Sequence, residues 1–287
     1  MAVVDSFGPL VDAAWLSAHL AEVVVCDVRW YLDGRSGRAA YDAGHIPEAV
    51  FVDLDRDLAS EPGGTAGRHP LPDPSSFAAA MGRLGISDAT TVVAYDDTGG
   101  STAARLVWML RVLGRHASLL DGGIAAWHSE LSTDPVTPEP ATFTSAAWPE
   151  DAIVDADGVA AAVAGENAVV LDARAGERYR GEVEPIDARA GHVPGARSLP
   201  WADVIDPATG RFRTPDDLRA RLADVGITAG TDVIAYCGSG VTSCIDVIAV
   251  ELAGYEPARL FVSSWSGWSN DPDRRVATGA EPGGTAR

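Results

Sequence analysis

A single cysteine in a glycine-rich segment is the residue of this sequence best suited to nucleophilic chemistry. Cys237 follows an apolar run, 231–236, that is typical of a buried strand, and it precedes apolar residues at helical spacing. Gly238 and Gly240 let the backbone curl, so that amide groups and the start of the helix point at one spot that attracts an anion. We expect this anion to be the Cys237 thiolate, with a lowered pKa.

Composition and charge exclude several classes of function. The chain has 287 residues, and its formal net charge of −19 opposes binding to nucleic acids or anionic membranes, which need basic surfaces. All 22 positively charged residues are arginine, which excludes a Schiff-base lysine and a P-loop lysine. Any anionic substrate must therefore be bound by arginine or by backbone.

The sequence also indicates the compartment. Residues 1–5 lack the basic start of a signal peptide, and no apolar run is long enough to span a membrane. Three cysteines are too few for a disulfide framework, and no Cys-x-x-Cys pair suggests a metal site. We predict a cytoplasmic protein that binds no membrane, metal or cofactor.

The chain contains one domain twice. Segments at 23–29 and 44–49 recur in the same order at 168–174 and 191–196. Each copy alternates short apolar strands with amphipathic helices, which predicts an α/β fold of two tandem domains, each a largely parallel sheet flanked by helices. Residues 129–150 are proline-rich and lack periodicity. We therefore predict domains over 1–128 and 151–287, joined by a linker over 129–150.

Comparison of the halves separates structural residues from candidates for chemistry. Cys237 corresponds to Asp96, which cannot be a sulfur nucleophile, so the first domain is predicted to be non-catalytic and the second catalytic. Cys26 and Cys244 correspond to apolar residues and are predicted to fill the core. Three pairs occur in both halves and are predicted to serve the fold: Asp27 and Asp172, Arg29 and Arg174, His45 and His192.

The whole chain resembles the tandem rhodanese-domain sulfurtransferases. The resemblance is carried by the duplication, by Cys-Gly-Ser-Gly-Val-Thr at 237–242, by the Gly-His-x-Pro motifs at 44–47 and 191–194, and by Ser-Trp-Ser-Gly-Trp at 264–268. The loop is similar to that of the 3-mercaptopyruvate branch, since the thiosulfate branch carries basic residues where Gly238 and Ser239 stand. The resemblance implies that Cys237 takes sulfur from a small anionic donor as a persulfide and passes it to a thiol or to cyanide.

The resemblance also implies a donor-binding site. Arg178 matches the family's arginine for the donor carboxylate or sulfonate. Members of the 3-mercaptopyruvate branch often have a second arginine after a Glu-Pro pair, but here Glu184-Pro185 is followed by Ile186, and Arg189 is a substitute candidate. The loop supplies the remaining donor-binding residues: Gly238, Gly240, Val241 and Thr242.

A proton relay and an aromatic wall are implied in the same way. Asp55, His69 and Ser239 match an Asp-His-Ser relay beside the cysteine, and Trp30 matches an aromatic wall of the pocket. A surface position for His69 and a core position for Trp30 stay open as alternatives.

Three other functions stay open. The chain could transfer sulfur from thiosulfate to cyanide, or it could be a non-catalytic rhodanese-like binding module. A cysteine phosphatase is disfavoured, because such an enzyme needs an arginine six positions after its nucleophile, where Ser243 stands.

Overall fold

A computed structural model of the protein describes residues 8–165, 167–283 and 285–286 and divides the chain into two compact units. Of the described residues, the first unit contains 8–59, Pro72–Trp148 and Ala208–Arg211. The second contains Ser60–Leu71, most of Pro149–Pro207, and the chain from Phe212 onwards. Residues 1–5, for which no signal peptide is predicted, lie outside the described residues.

Within the described residues, the first unit is built on a parallel sheet of five strands in the order β1-β5-β4-β2-β3. The strands are β1 (Leu10–Val11), β2 (Val24–Asp27), β3 (Val50–Phe51), β4 (Val92–Tyr95) and β5 (Ala117–Leu120). The helices are α1 (Ala13–His19), α2 (Gly37–Ala43), α3 (Leu54–Asp57), α4 (Pro74–Arg83) and α5 (Ala103–Val112).

The second unit repeats this plan, with five parallel strands in the described part of the chain in the order β6-β10-β9-β7-β8. The strands are β6 (Ile153–Val154), β7 (Ala168–Asp172), β8 (Arg197–Ser198), β9 (Asp232–Tyr236) and β10 (Arg259–Phe261). The helices are α6 (Ala156–Ala164), α7 (Gly176–Tyr179), α8 (Pro215–Asp224), α9 (Ser243–Leu252) and α10 (Ser264–Asn270). A separate antiparallel pair consists of β11 (Ala277–Thr278) and β12 (Thr285–Ala286).

The central strands are apolar on both faces because helices cover both faces of a parallel sheet. All residues of β4 are buried, as are all of β9 except Asp232. The predicted α/β fold with two parallel sheets is therefore confirmed.

The residues shared by both halves form equivalent buried networks. In the second unit, Arg174 donates to the Asp172 carboxylate at 2.6 Å and to the Gly191 carbonyl at 2.7 Å. The Tyr236 hydroxyl donates to Asp172 at 2.6 Å and accepts the Val193 amide at 3.1 Å. Because Tyr236 immediately precedes Cys237, this network fixes the strand end from which the cysteine projects.

The first unit contains the same arrangement. Arg29 donates to Asp27 at 2.6 Å and to the Gly44 carbonyl at 2.8 Å, and the Ile46 amide donates to Tyr95 at 3.1 Å. A structural role thus explains why these residues occur twice.

The compact units differ from the predicted domain boundaries in two respects. Residues 129–148 contain no helix or strand, but they belong to the first unit, where Trp148 packs on Phe77 at 5.1 Å between ring centroids and donates to the Pro72 carbonyl at 2.9 Å. Ser60–Leu71, from the first half of the sequence, belongs to the second unit. No pattern of charge or periodicity in the sequence predicts that this segment belongs to the second unit.

Among the residues described, none of the helices combines the length and the hydrophobicity that crossing a bilayer requires.

Candidate active site

The loop 237–242 joins the carboxyl end of β9 to the start of α9 and requires glycine at two positions. Gly240 has φ of 76°, and a Cβ atom there would lie 2.4 Å from the Val262 carbonyl oxygen. A Cβ atom at Gly238 would lie 2.7 Å from an Nη atom of Arg68. Gly240 therefore serves the backbone turn, whereas Gly238 makes room for a cation above the loop.

The first turn of α10 holds the loop from behind. The amides of Trp265 and Ser266 donate to the carbonyls of Cys237 and Gly238 at 3.0 and 2.9 Å. Ser264 accepts the Cys237 amide at 3.2 Å and has φ of 51°, which is unusual for a residue other than glycine. These bonds direct the carbonyls of Cys237 and Gly238 away from the sulfur.

The Cys237 sulfur is 1% exposed and lies in a ring of hydrogen-bond donors. Its Sγ accepts the amides of Gly240 at 3.1 Å and Ser239 at 3.5 Å. Burial raises the pKa of the thiol, but the hydroxyls of Ser243 and Thr242 and the loop amides outweigh burial and bring the pKa below its ordinary value. The loop thus favours a thiolate, as the sequence predicted.

The other two cysteines lie in different environments. Cys26 is fully buried in β2, and burial together with Asp27 raises the pKa of its thiol. The Cys244 thiol is also buried and donates to the Gly240 carbonyl at 3.5 Å. The complete burial of both side chains agrees with their prediction as core residues.

Val241 and Thr242 complete the loop mainly through their backbone. Val241 is 4% exposed, and its carbonyl accepts the Cys244 amide at 3.2 Å. Thr242 is the N-cap residue of α9, and its side chain makes no capping bond, so its hydroxyl can act on the sulfur instead.

Helix α9 carries polar groups that the sequence analysis missed. The helix is buried on every face over residues 243–250, rather than on one face as its spacing predicts. Within the described residues, both carboxyl oxygens of the buried Asp246 lack a hydrogen-bond partner. Burial, followed by repulsion from Cys237, raises the pKa of Asp246 well above its ordinary value. The sequence feature that could have identified this buried acid is an aspartate within an otherwise apolar helical stretch.

His69 contacts the cysteine loop through Ser239. Its Nδ1 lies 2.8 Å from the Ser239 hydroxyl, and both side chains are 7% exposed. The segment that carries His69 is anchored to α10, because the Arg68 amide donates to Ser266 at 3.0 Å. The open alternative of a surface histidine is therefore excluded by its burial.

Arg178 lies beside the loop within a cluster of charges. Its Nη2 donates to Glu184 at 2.7 Å and to Asp187 at 3.0 Å. Arg68 forms an ion pair with the same Asp187 carboxylate. Both guanidinium groups lie next to Gly238, since an added Cβ there would contact them. Arg68 and Asp187 were not predicted, because only the folded chain brings residues so distant in sequence together.

Arg189 is engaged elsewhere, in contrast to its prediction as a donor-binding substitute. Its guanidinium donates to four backbone carbonyls near the end of α10, at 2.6 to 3.0 Å: Trp268, Ser269, Asp271 and Arg274. With its hydrogen-bond donors used in this way, Arg189 fixes the C-terminal helix and is not presented to a donor.

Trp30 and Asp55 belong to the first unit, where they contact each other. The Trp30 indole Nε1 donates to the Asp55 carboxylate at 2.9 Å, and Trp30 is half-buried. Their roles as pocket wall and relay member stay predictions.

A cavity of about 490 Å³ also lies in the second unit, lined by residues that include Pro70, Ile153 and Val262. Cys237 is not among the residues that line it, so it is not the pocket of the candidate nucleophile. Within the part of the chain that the structure describes, no cluster of His, Cys, Asp and Glu side chains has the arrangement of a metal site.

Comparisons with known proteins identify the family. A model of the family described as "Rhodanese-like domain" matches residues 12–130 and 155–271. A "Probable 3-mercaptopyruvate sulfurtransferase" of Pseudomonas aeruginosa is 41% identical over 285 residues, covering 96% of this chain and 99% of the relative. A "Putative thiosulfate sulfurtransferase SseB" of Mycobacterium tuberculosis is 42% identical over 280 residues, covering 94% and 97%.

A solved structure is similar over the same length. The crystal structure of SseA from Escherichia coli, described with the 3-mercaptopyruvate sulfotransferases, has a TM-score of 0.79 and 31% identity, covering 90% of this chain and 99% of that one. With two matched domains and relatives of this identity over nearly its full length, the chain belongs to the rhodanese family.

Proposed function

We propose that this protein is a sulfurtransferase that moves a sulfur atom from 3-mercaptopyruvate, through a persulfide on Cys237, to a thiol or to cyanide. The observation that carries the proposal is the buried Cys237 sulfur, with loop amides at 3.1 and 3.5 Å and a lowered thiol pKa. Donors arranged around a thiolate also stabilise a persulfide anion, which is electrostatic preorganisation. The names of the relatives support the reaction class.

The first half-reaction breaks a carbon–sulfur bond. The Cys237 thiolate attacks the thiol sulfur of the donor, a sulfur–sulfur bond forms, and the electron pair of the broken bond passes to the enolate of pyruvate. The proton of the donor thiol ends on the methyl carbon of pyruvate. The Ser239 hydroxyl, which His69 contacts at 2.8 Å, is the proposed path for that proton, with Asp55 as the proposed third member of the relay.

The second half-reaction restores the enzyme. A nucleophilic acceptor, a thiolate or cyanide, attacks the outer sulfur of the persulfide, and the sulfur–sulfur bond breaks to return the Cys237 thiolate. The same loop amides stabilise this leaving group. No cofactor is required for either step.

The donor site is proposed to centre on Arg178. A planar guanidinium binds a carboxylate through two parallel hydrogen bonds, and Arg178 lies beside Gly238 at the loop. Trp30 is proposed as an aromatic wall, and Val241 and Thr242 as part of the cradle around the transferred sulfur.

We assign catalysis to the second domain and a non-catalytic role to the first, in which Asp96 replaces the nucleophile. A cytoplasmic location is part of the same proposal, because a reactive thiolate persists in a reducing compartment.

Thiosulfate is the alternative donor, supported by the name of the mycobacterial relative. It carries two negative charges close to the reacting sulfur, whereas Ser239 offers only a neutral hydroxyl there. We therefore expect 3-mercaptopyruvate to have the higher kcat/KM.

The test is to measure kcat/KM for both donors with cyanide as a common acceptor, and to identify the persulfide on Cys237 by mass spectrometry. A higher kcat/KM for thiosulfate would reject the donor assignment alone. A protein that transfers sulfur from neither donor, and whose Cys237 resists iodoacetate at neutral pH, would instead be a binding module.

A further inference from the structure

An internal carboxylate lies where the proposed donor's carboxylate would bind. Asp187 pairs with Arg178 at 3.0 Å through one oxygen and with Arg68 through the other. Both arginines lie next to Gly238, beside the cysteine. The side chain of Asp187 is only 3% exposed and pairs with both cations.

A local turn holds Asp187 in this position. The Glu184 carboxylate accepts the amides of Ile186 and Asp187 at 3.2 and 3.1 Å, and it also binds Arg178 at 2.7 Å. Glu184 therefore stays attached to its own backbone, whereas Asp187 is bound to the arginines only by its side chain. A rotation of that side chain would release Arg178 without unfolding the turn.

Arg178 has an incompletely used hydrogen-bonding edge. Its Nε is buried and has no hydrogen-bond partner among the described residues, while the neighbouring Nη2 donates to both acidic side chains. A carboxylate bound to this edge would use Nε and Nη2 together, the bidentate geometry that arginine favours. The present contact with Asp187 uses only Nη2, so an incoming carboxylate would gain a bond that Asp187 does not make.

We propose that Asp187 is a specificity-determining residue: its carboxylate occupies the donor subsite on Arg178 and must be displaced by the donor. This inference rests on the proposed function, because it concerns the same site. The donor's carboxylate takes Nε and Nη2 of Arg178, and Asp187 keeps its pair with Arg68. No covalent bond changes in this exchange.

Electrostatics support a carboxylate that is held but can be displaced. Burial raises the pKa of Asp187, Arg68 opposes that rise, and Glu184 adds to it, while Arg178 and Arg174 act to lower the pKa. The net pKa lies above the ordinary value, so the ionised carboxylate is less stable here than in water.

The charge balance gives a preference among donors. Arg68, Arg174 and Arg178 are matched by Asp172, Glu184 and Asp187, so this charge cluster has no net positive charge before the donor enters. A dianion such as thiosulfate is disfavoured more strongly than a donor with one carboxylate. Asp187 thereby biases the site towards monocarboxylates.

The variant Asp187→Asn tests the inference, with Asp187→Ala as a second variant in case the amide disturbs the turn. When a binding site is open for only a fraction of the time, its apparent affinity is reduced in proportion to that fraction. Removing the Asp187 carboxylate from the subsite should therefore lower KM for 3-mercaptopyruvate by about threefold to tenfold. The inhibition constant of pyruvate, which has the carboxylate but no sulfur, should fall similarly. The kcat/KM for thiosulfate should rise by a larger factor than that for 3-mercaptopyruvate.

The matched control is Asp232→Asn, which also removes one charge and the partner of an arginine, Arg259, but at the other end of β9. It should leave KM for 3-mercaptopyruvate and the inhibition constant of pyruvate unchanged. An unchanged or raised KM in both Asp187 variants, with thermal unfolding like that of the wild type, would show that the ion pair is structural and overturn the inference alone. A wild-type protein without sulfur transfer from either donor would overturn the proposed function and this inference together.

Discussion

The loops of the two units form the same anion cradle but hold different anions. In the first unit, the Asp96 carboxylate accepts the amides of Thr98 and Gly100 at 2.9 and 2.8 Å, and those of Thr102 and Ala103 at 2.8 and 3.0 Å. In the second unit, two amides donate to the Cys237 sulfur at longer distances. The cradle is thus a property of the duplicated fold, whereas sulfur chemistry requires an anion that can act as a nucleophile.

The helices that follow the loops differ in the charge beneath the cradle. At the register that aligns Asp96 with Cys237, the fully buried Arg105 corresponds to Asp246. A cation there suits a carboxylate, whereas a second anion beside a thiolate would raise the thiol pKa. The raised pKa of Asp246 reduces this conflict, because it favours the uncharged acid.

The largest effect is expected from Cys237→Ser, which removes the difference between the loops. A serine hydroxyl in this cradle stays protonated at neutral pH and cannot hold a sulfane sulfur, so transfer should fall to the background rate. Steady-state kinetics and the circular dichroism spectrum measure activity and folding. Cys26→Ser and Cys244→Ser are the controls, and loss of transfer in either folded control would refute the assignment of the nucleophile.

Arg178→Ala should have the next largest effect, because Arg178 is the proposed contact of the donor carboxylate in the second unit. Loss of a charge-assisted hydrogen bond costs about 1.5–3 kcal/mol, so kcat/KM for 3-mercaptopyruvate should fall about tenfold to a hundredfold. Arg180→Ala is the matched control, since the Arg180 side chain is 39% exposed and its guanidinium pairs with Glu182. Equal losses of kcat/KM in the two variants would show that Arg178 does not bind the donor.

Asp246→Asn should change the pH dependence of stability. The folded-state pKa lies above the unfolded value of 3.8, so the stability that this proton gives is present at low pH and lost as pH rises towards the folded pKa. Asparagine has no such dependence. Above pH 3.8 the unfolding free energy of the variant should therefore gain on that of the wild type by about 1.4 kcal/mol per pH unit.

Urea unfolding from pH 4 upwards measures this slope, with exposed Asp216→Asn as the control. If the unfolding free energies of wild type and Asp246→Asn depended on pH in the same way, the pKa of Asp246 would not be raised in the folded protein. The comparison of Asp246 with Arg105 would then not explain how the thiolate is tolerated.

Local pattern was enough to predict the fold. Patterns among neighbouring residues indicated the duplication, the alternation of strands and helices, and the turn at the glycines 238 and 240. The structure accordingly has two parallel sheets, with Cys237 at the carboxyl end of a strand. The all-round burial of α9 was not predicted, because Asp246 within it makes the helix look exposed on one face.

The charge cluster of the site could not be predicted, because it depends on contacts between distant segments. Arg68 and Asp187 meet only because Ser60–Leu71 joins the second unit. Arginine is the residue type expected in a donor site, but the Arg189 guanidinium donates instead to backbone carbonyls at the end of α10. Family resemblance supplied His69, whose contact with Ser239 no local pattern indicates.

The smallest effect is expected from restoring sulfur to the first loop, with Asp96→Cys in a Cys237→Ser background. The cradle amides would face the new thiol, but Asp97, which corresponds to Gly238, adds a negative charge that raises the thiol pKa. No donor-binding arginine is predicted there, so no persulfide should form at position 96 when the protein is treated with 3-mercaptopyruvate and examined by mass spectrometry. The single variant Asp96→Cys serves as the positive control, because its persulfide should appear at Cys237. A persulfide at position 96 would show that the duplicated cradle alone is sufficient for the chemistry, and that the cations around Asp187 are not required.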